Sequence, residues 1–195
     1  MAIAVKKTVP ISEGGDVLST SLSTAEGARL TTEKPRPSIA VRQPLLSEIL
    51  TKVHKAKLYD DKLRILKEED CLALRQICQW SFNPKIESEL PSGTPPYIEN
   101  DAPEGTEHML LRTEGNTLWH FVKTNGKSAD PNLQSTLRER MFIRLLEGLH
   151  KDEAELLILV KDKKLGADKI GYKGLSSPVV MEAFDWDENF NKKDV

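Results

Sequence analysis

Five lysines toward the C-terminal end, Lys161, Lys163, Lys164, Lys169 and Lys173, are interleaved with Gly166, Gly171 and Gly174, and Tyr172 stands among them. Ammonium groups attract a negative partner, and glycines let a backbone come close enough to offer its N–H groups as donors. The chemistry that these residue types support is the binding of anions, not the making or breaking of bonds. A second group, Lys52, Lys55 and Lys57, carries the same charge without glycines. Each group also has a plainer reading, because lysine clusters commonly mark a solvated face. The order Glu153, Glu155, then Lys161, Lys163 and Lys164 is what a helix macrodipole favours with no ligand present.

The other chemically capable residues form no working set. His54, His108, His120 and His150 are scattered, and no Cys or His pair has the short spacing that zinc sites use, so no metal site is expected. Glu107 and His108 beside Asp101 and Glu104 make an acid-base cluster on paper. They sit in a proline-rich stretch that gives catalysis no rigid support, and loop capping is the simpler reading. Trp80 and Trp119 fall among apolar neighbours at helical spacing, where they are expected to fill the core rather than stack on bases. No Walker-type phosphate loop occurs and no Ser, His and Asp set can be placed, so neither catalysis nor a cofactor is expected.

What must position the lysines is a helical scaffold. A chain of 195 residues with 38% hydrophobic and 30% charged content can bury one sizeable core. Its net charge of -2 excludes a histone-like protein, so contact with nucleic acid would have to come from a local patch. Cys71 and Cys78 are seven apart in a helical stretch, roughly 10 Å along one face, too far for a disulfide, and a reduced, intracellular protein is the expectation. No run of about 18 apolar residues occurs, which predicts no membrane span, and the N-terminus lacks the compact apolar core of a signal peptide.

Residues 1–44 are rich in Ser, Thr, Gly and Pro without sustained periodicity and read as a disordered, flexible tail. Its Lys34-Pro-Arg-Pro37 stretch suits either a soluble linker or a tethering arm. Helical signals then start at Leu45. Leu46, Ile49, Leu50 and Val53 mark a first helix. Asp60 or Asp61 would cap a second carrying Leu63, Ile65 and Leu66, and Asp70 a third carrying Leu74, Ile77, Cys78 and Phe82. Residues 83–107 hold five prolines and two glycines, so neither helix nor central strand is expected there. A wrap across the surface, or a partner contact, accounts for so long a loop.

Helices resume over Glu114 to Val122 and break at Thr124-Asn-Gly-Lys. The next runs from Thr136, capped by Ser135, to about Leu149, with Leu137, Met141, Leu145 and Leu149 as its buried stripe, widened by Phe142 and Leu146. Asp152 would cap the following helix, and Ser176-Ser-Pro178 opens a last one. The predicted fold class is therefore all-α, a compact multi-helix domain of about six to seven helices over 45–186 with the Pro-rich loop inside it. An acidic tail, 187–195, is expected to fray.

Leu46-Ser-Glu-Ile-Leu50, Asp61-Lys-Leu-Arg-Ile-Leu66 and Leu72-Ala-Leu-Arg-Gln-Ile77 resemble the opening trio of helices in the N-terminal DNA-binding domain of ATP-dependent DNA ligases, above all those of large tailed phages. Glu153 to Phe184 resembles its closing part, an amphipathic helix, a basic segment with glycine, then a small helix. Asn100-Asp-Ala-Pro-Glu-Gly-Thr-Glu-His108 and Met141-Phe-Ile-Arg-Leu-Leu-Glu-Gly-Leu-His150 are also similar to an uncharacterised protein family of T-even-type phages, including those of cyanobacteria.

The ligase resemblance implies sequence-independent binding of duplex DNA by helix ends and loops. The residues that would do it are Lys161, Lys163, Lys164, Gly166, Lys169, Gly171, Tyr172 and Lys173, with Lys52, Lys55 and Lys57 as a second patch. Ligation itself is not implied. It needs a lysine in a Lys-x-Asp-Gly motif to take up AMP, and Lys123-Thr-Asn-Gly126 has Asn where the acid belongs and too little chain after it. The phage resemblances imply a role in DNA replication or repair in the cytoplasm of an infected bacterial host. A protein-protein adaptor, or a virion or assembly component, stands as the alternative.

Overall fold

The structure, a computed structural model, describes residues 43–102, 108–167 and 171–193. Apart from residues 43 and 44, the segment read as a flexible tail lies outside these, as do Glu104, Glu107 and Lys169. Six α-helices, one 3-10 helix and a small antiparallel sheet make up the rest, so the fold is mostly helical rather than all-α. In chain order they are α1 (Leu46–Lys55), α2 (Tyr59–Glu68), α3 (Leu72–Phe82), β1 (Ile86–Ser88), the 3-10 helix (Glu114–Phe121), β2 (Val122–Thr124), β3 (Lys127–Ser128), α4 (Ser135–Gly148), α5 (Lys151–Lys161) and α6 (Ser177–Ala183).

The apolar stripe of α1, Leu46, Ile49, Leu50 and Val53, is fully buried against α2 and α5. Each such side chain removed from water stabilises by about 1.5–3 kcal/mol. On α3, Leu74, Ile77, Cys78 and Trp80 join the same core. Phe121 ties α3 to α4, its ring 6.5 Å from Trp80 and 5.3 Å from Phe142. Cys71 and Cys78 are both free thiols, as their spacing requires.

The sheet has the order β1-β2-β3. Its hairpin turns at Asn125 and Gly126, whose φ values of 52° and 74° are those of a two-residue type I′ connection, the geometry that Asn-Gly favours. The Thr124-Asn-Gly-Lys stretch is thus a strand connection and not a break between helices. β1 lies inside the Pro-rich stretch and is tolerated because it is an edge strand starting after Pro84. Glu87 faces Lys123 across the pair at 2.8 Å.

Helix α4 is rotated from the expected stripe: Leu137 is 49% exposed, whereas Arg138 is buried beside Phe142, Leu145 and Leu146. The cause is polar. Arg138 pairs with Glu89 at 2.9 Å and donates to the carbonyls of His120 (2.8 Å) and Asp130 (3.0 Å), while His120 Nδ1 meets Asp130 at 2.8 Å. This network fastens the sheet and 3-10 helix to α4. Trp119, expected in the core, is 43% exposed with its ring 3.9 Å from His120.

Helix starts differ from the expected caps. Asp60 and Asp61 lie in the first turn of α2 rather than capping it, and Cys71 takes the N-cap position of α3, with Asp70 bonded to Arg75. α4 starts at Ser135 with Gln134 before it. At α5 the cap is His150, whose Nδ1 accepts from the Asp152 N–H at 3.2 Å. Part of the C-terminal segment expected to fray is packed on the domain. Trp186 and Phe190 are buried, their rings 5.8 Å apart, and Gln79 and Lys85 bond Phe190 O and Asn189 Oδ1.

Glu153 braces three elements at once. Buried in the first turn of α5, its carboxylate accepts from Leu46 N at the start of α1 and from Leu111 N, both at 2.9 Å. Burial holds its pKa above the usual carboxylate range despite these bonds.

Candidate nucleic-acid interface

The C-terminal end of α5 is closed by a backbone cap built on a lysine. Lys163 adopts φ 56°, with Lys163 N bonded to Val160 O (3.0 Å) and Lys164 N to Leu159 O (2.8 Å). This is a Schellman arrangement with a lysine where glycine is usual. The left-handed conformation costs a non-glycine residue about 1 kcal/mol or more. It is offset here because it brings the Lys163 ammonium 3.0 Å from the Asn83 carbonyl, and partial burial lowers that ammonium's pKa.

Lys161 is the reverse of a surface cation, its side chain 1% exposed. Its Nζ donates to Pro91 O at 2.7 Å and to Asp162 Oδ1 at 2.5 Å. Asp162 also receives the Gly93 N–H at 3.1 Å and Lys164 Nζ at 3.4 Å. Burial alone would raise the Asp162 pKa, but the bonds from Lys161 and Gly93, with the two ammonium charges, hold it below the ordinary value.

The expected Lys161, Lys163 and Lys164 patch is therefore corrected in part. Lys161 is internal, Lys163 is spent on a loop carbonyl, and Lys164 is exposed but leans on Asp162. Sequence reasoning missed Asp162, although the acid stands inside Lys161-Asp-Lys-Lys164.

These bonds anchor a strap. From Pro91 and Gly93 at the C-terminal end of α5, the Pro-rich chain runs to Ile98, whose N–H meets Glu147 at the end of α4. Glu99 then pairs with Lys151, the first residue of α5, at 2.8 Å. The long loop is thus a wrap along α5, as its proline content suggested.

The glycines permit this close packing. A Cβ on Gly166 would lie 2.8 Å from Leu175 O and 3.2 Å from the Phe82 ring, and on Gly174 2.9 Å from Val53 O. On Gly171 it would collide with the carbonyls of Lys164 and Leu165. Through Gly174 the loop 171–174 is pressed against the C-terminal end of α1. Tyr172 is half-buried there, burial pushing its pKa up to about 12 against the opposing effect of its bond to Thr51.

That contact joins residues from the two expected groups. Lys52, His54, Lys55 and Lys57 are exposed because the buried stripe of α1 faces the other way, and exposed Lys173 neighbours Gly174 on His54. Among the described residues no acid lies within ion-pair distance of Lys52, Lys55 or Lys57. Beside them opens a groove of about 780 Å³, lined by Glu48, Lys52, His54 and Lys55 of α1, by Asp152 and Glu155 of α5, and by Gly171 and Tyr172 of the loop. The acids of α5 were not foreseen there. The sequence made Asp152 a helix cap and put Glu155 near the same helix N-terminus, without showing that they would face α1.

Among the described residues no helix is long and apolar enough to cross a membrane, and no group of three or more His, Cys, Asp or Glu is placed to hold a metal ion. His108 Nε2 bonds Ala102 O at 2.6 Å, the loop-capping role expected of it.

No curated protein matches the chain, and no solved structure does. Residues 49–167, from α1 to the loop after α5, match a family of unknown function, DUF6433, and the chain belongs to that family.

Proposed function

We propose that this chain is a non-catalytic module that binds duplex DNA through its phosphate backbone, without regard to base sequence, in phage DNA replication or repair in the cytoplasm of an infected bacterium. The observation that carries this reading is the basic rim at the end of α1, where Lys52, Lys55 and Lys57 are exposed and unpaired by acids of the described residues. Lys173 and Tyr172 continue the rim from the facing loop. Cations on a helix end, free to move to phosphates, are what backbone-directed binding needs. The resemblance to a ligase DNA-binding domain points the same way, with the weight moved from the Lys161 cluster to α1.

A second reading, a protein-protein adaptor, draws on the α5 side of the groove. Asp152 and Glu155 there would repel phosphate and attract a basic segment of a protein partner.

Fluorescence anisotropy with a labelled duplex at two salt concentrations separates them. Each phosphate neutralised contributes about 0.9 to the slope of log K against log salt. Replacing Lys52, Lys55 and Lys57 with Glu is expected to abolish binding at moderate salt while helical circular dichroism is kept. Changing them singly to Gln should lower the slope by about one each. Absence of binding by the parent chain at low salt refutes the DNA reading, and binding of a labelled basic peptide that is lost on mutating Asp152 and Glu155 supports the adaptor.

A further inference from the structure

A pocket of about 140 Å³ opens between α3, the 3-10 helix and the start of the sheet. Ile86, Leu118 and Val122 give it an apolar lining, which Trp119, Gln76 and Gln79 complete. Whole small-molecule sites measure about 300–1,000 Å³, so this pocket takes one flat ring of a ligand and leaves the rest outside.

Trp119 is the unusual member. Its spacing among apolar neighbours predicts a core residue, yet it is 43% exposed, with His120 against its indole at 3.9 Å between ring centroids. An exposed indole beside an apolar hollow is a stacking platform, and every nucleobase has the π-face to use it.

The polar groups beside it are unspent. Gln76 and Gln79, three apart on α3, are neighbours on one helix face. Of their amide nitrogens and oxygens, only Gln79 Nε2 has a partner among the described residues, Phe190 O at 3.1 Å. Gln76 Oε1 is buried, whereas its NH2 group and Gln79 Oε1 are not, so a donor and an acceptor stand next to each other at the pocket. Trp80, which also lines the pocket, is buried with its indole N–H unpartnered. Buried polar groups are ordinarily paired, so this lining holds hydrogen-bonding capacity that the fold leaves unused.

We infer that this pocket is a binding site for one unpaired nucleobase, its ring stacked on Trp119 and its pairing edge on the Gln76 NH2 and Gln79 Oε1. Every base sets a donor beside an acceptor on that edge, so the two glutamines recognise a base without fixing which one. Duplex DNA presents no free base. The site is therefore independent of the α1 rim and of the DNA reading.

Adenosine, purine riboside and benzyl alcohol, each titrated against the full chain by NMR, test this. Adenosine is expected to shift the Trp119 indole N–H signal. Purine riboside lacks the exocyclic amine that would donate to Gln79, and should bind about fivefold more weakly, the loss of one neutral hydrogen bond. Trp119→Leu should weaken adenosine by about fivefold or more, the loss of a stacking partner, with circular dichroism unchanged. Gln76→Leu, which breaks no bond of the fold, should cost about fivefold. A single-stranded oligo-dA that shifts the same signal and binds more tightly than adenosine assigns the base to a strand, and the reverse order assigns it to a free nucleoside. No Trp119 shift with either probe, benzyl alcohol or purine riboside binding as tightly as adenosine, or full affinity in Trp119→Leu each overturns the proposal. The purine riboside comparison needs no variant and decides if Trp119→Leu fails to fold.

Discussion

Replacing Glu153 with Ala removes the acceptor of two backbone donors that no water reaches. Leu46 N and Leu111 N each bond this carboxylate at 2.9 Å, and the residue is 1% exposed. A buried donor left without a partner costs about 1–3 kcal/mol, so two cost about 2–6 kcal/mol, against a total stability of about 5–15 kcal/mol for a domain. Glu153→Gln keeps one acceptor oxygen and should lose about half as much.

The pH dependence follows from the raised carboxyl pKa, caused first by burial. An acid with a folded-state pKa above its unfolded value, about 4.3, binds its proton more tightly when folded. Its contribution is complete below about pH 4 and declines as pH rises through the folded value. The advantage of the parent over Glu153→Gln should therefore be larger at pH 4 than at pH 7. Urea unfolding followed by circular dichroism at both values measures this. A loss under about 1 kcal/mol for Glu153→Ala would refute the bracing role, and an advantage that grows with pH would show the two N–H bonds outweighing burial.

Arg138→Met should destabilise by about 3 kcal/mol, because it leaves the part-buried Glu89 carboxylate with only the Ser128 hydroxyl, and thermal melts with Glu89→Gln added should recover part of the loss. Gly171→Ala, forced against the Lys164 and Leu165 carbonyls, should lower the melting temperature while Gly93→Ala, with open space around it but φ 89°, costs only its backbone strain of about 1 kcal/mol. Asp162, whose pKa is depressed, contributes stability above its unfolded value of about 3.9 that is lost as pH falls through the folded one. The protection of the Gly93 amide against hydrogen exchange, taken relative to its intrinsic rate at each pH, should accordingly fall on acidification below about pH 4, and already at neutral pH in Asp162→Asn.

Helices α1 to α3, α5 and α6 were legible because apolar residues recur at helical spacing and polar ones fill the other face. Periodicity failed where a side chain found a distant partner. Arg138 is buried only because Glu89, far off in sequence, reaches it, and Leu137 is turned outward in consequence. The hairpin did carry a local signal, Asn125-Gly126, the strongest short-range cue for such a turn, obscured by the shortness of strands that bury little.

For the candidate site, charge type was legible and accessibility was not. Lys161 and Lys55 look alike in the sequence, yet one sits under a strap and the other in solvent. The Pro91 carbonyl of the strap, with Asp162, decides that, and a backbone group leaves no mark in a residue's name. Helix caps failed for a related reason, since at α5 a histidine took the place expected of an aspartate two residues on.

The strap has a consequence for the order of folding. Its anchors join residues about 70 apart in sequence, Pro91 with Lys161 and Gly93 with Asp162. Closing such long loops carries a conformational entropy cost before any contact repays it. Helices α1, α2 and α3 can assemble from neighbours in the chain, but the strap has nothing to grip until α5 and its terminal turn exist. It is then expected to lock last and let go first, with the face between α4 and α5 covered by a segment whose own prolines keep it extended.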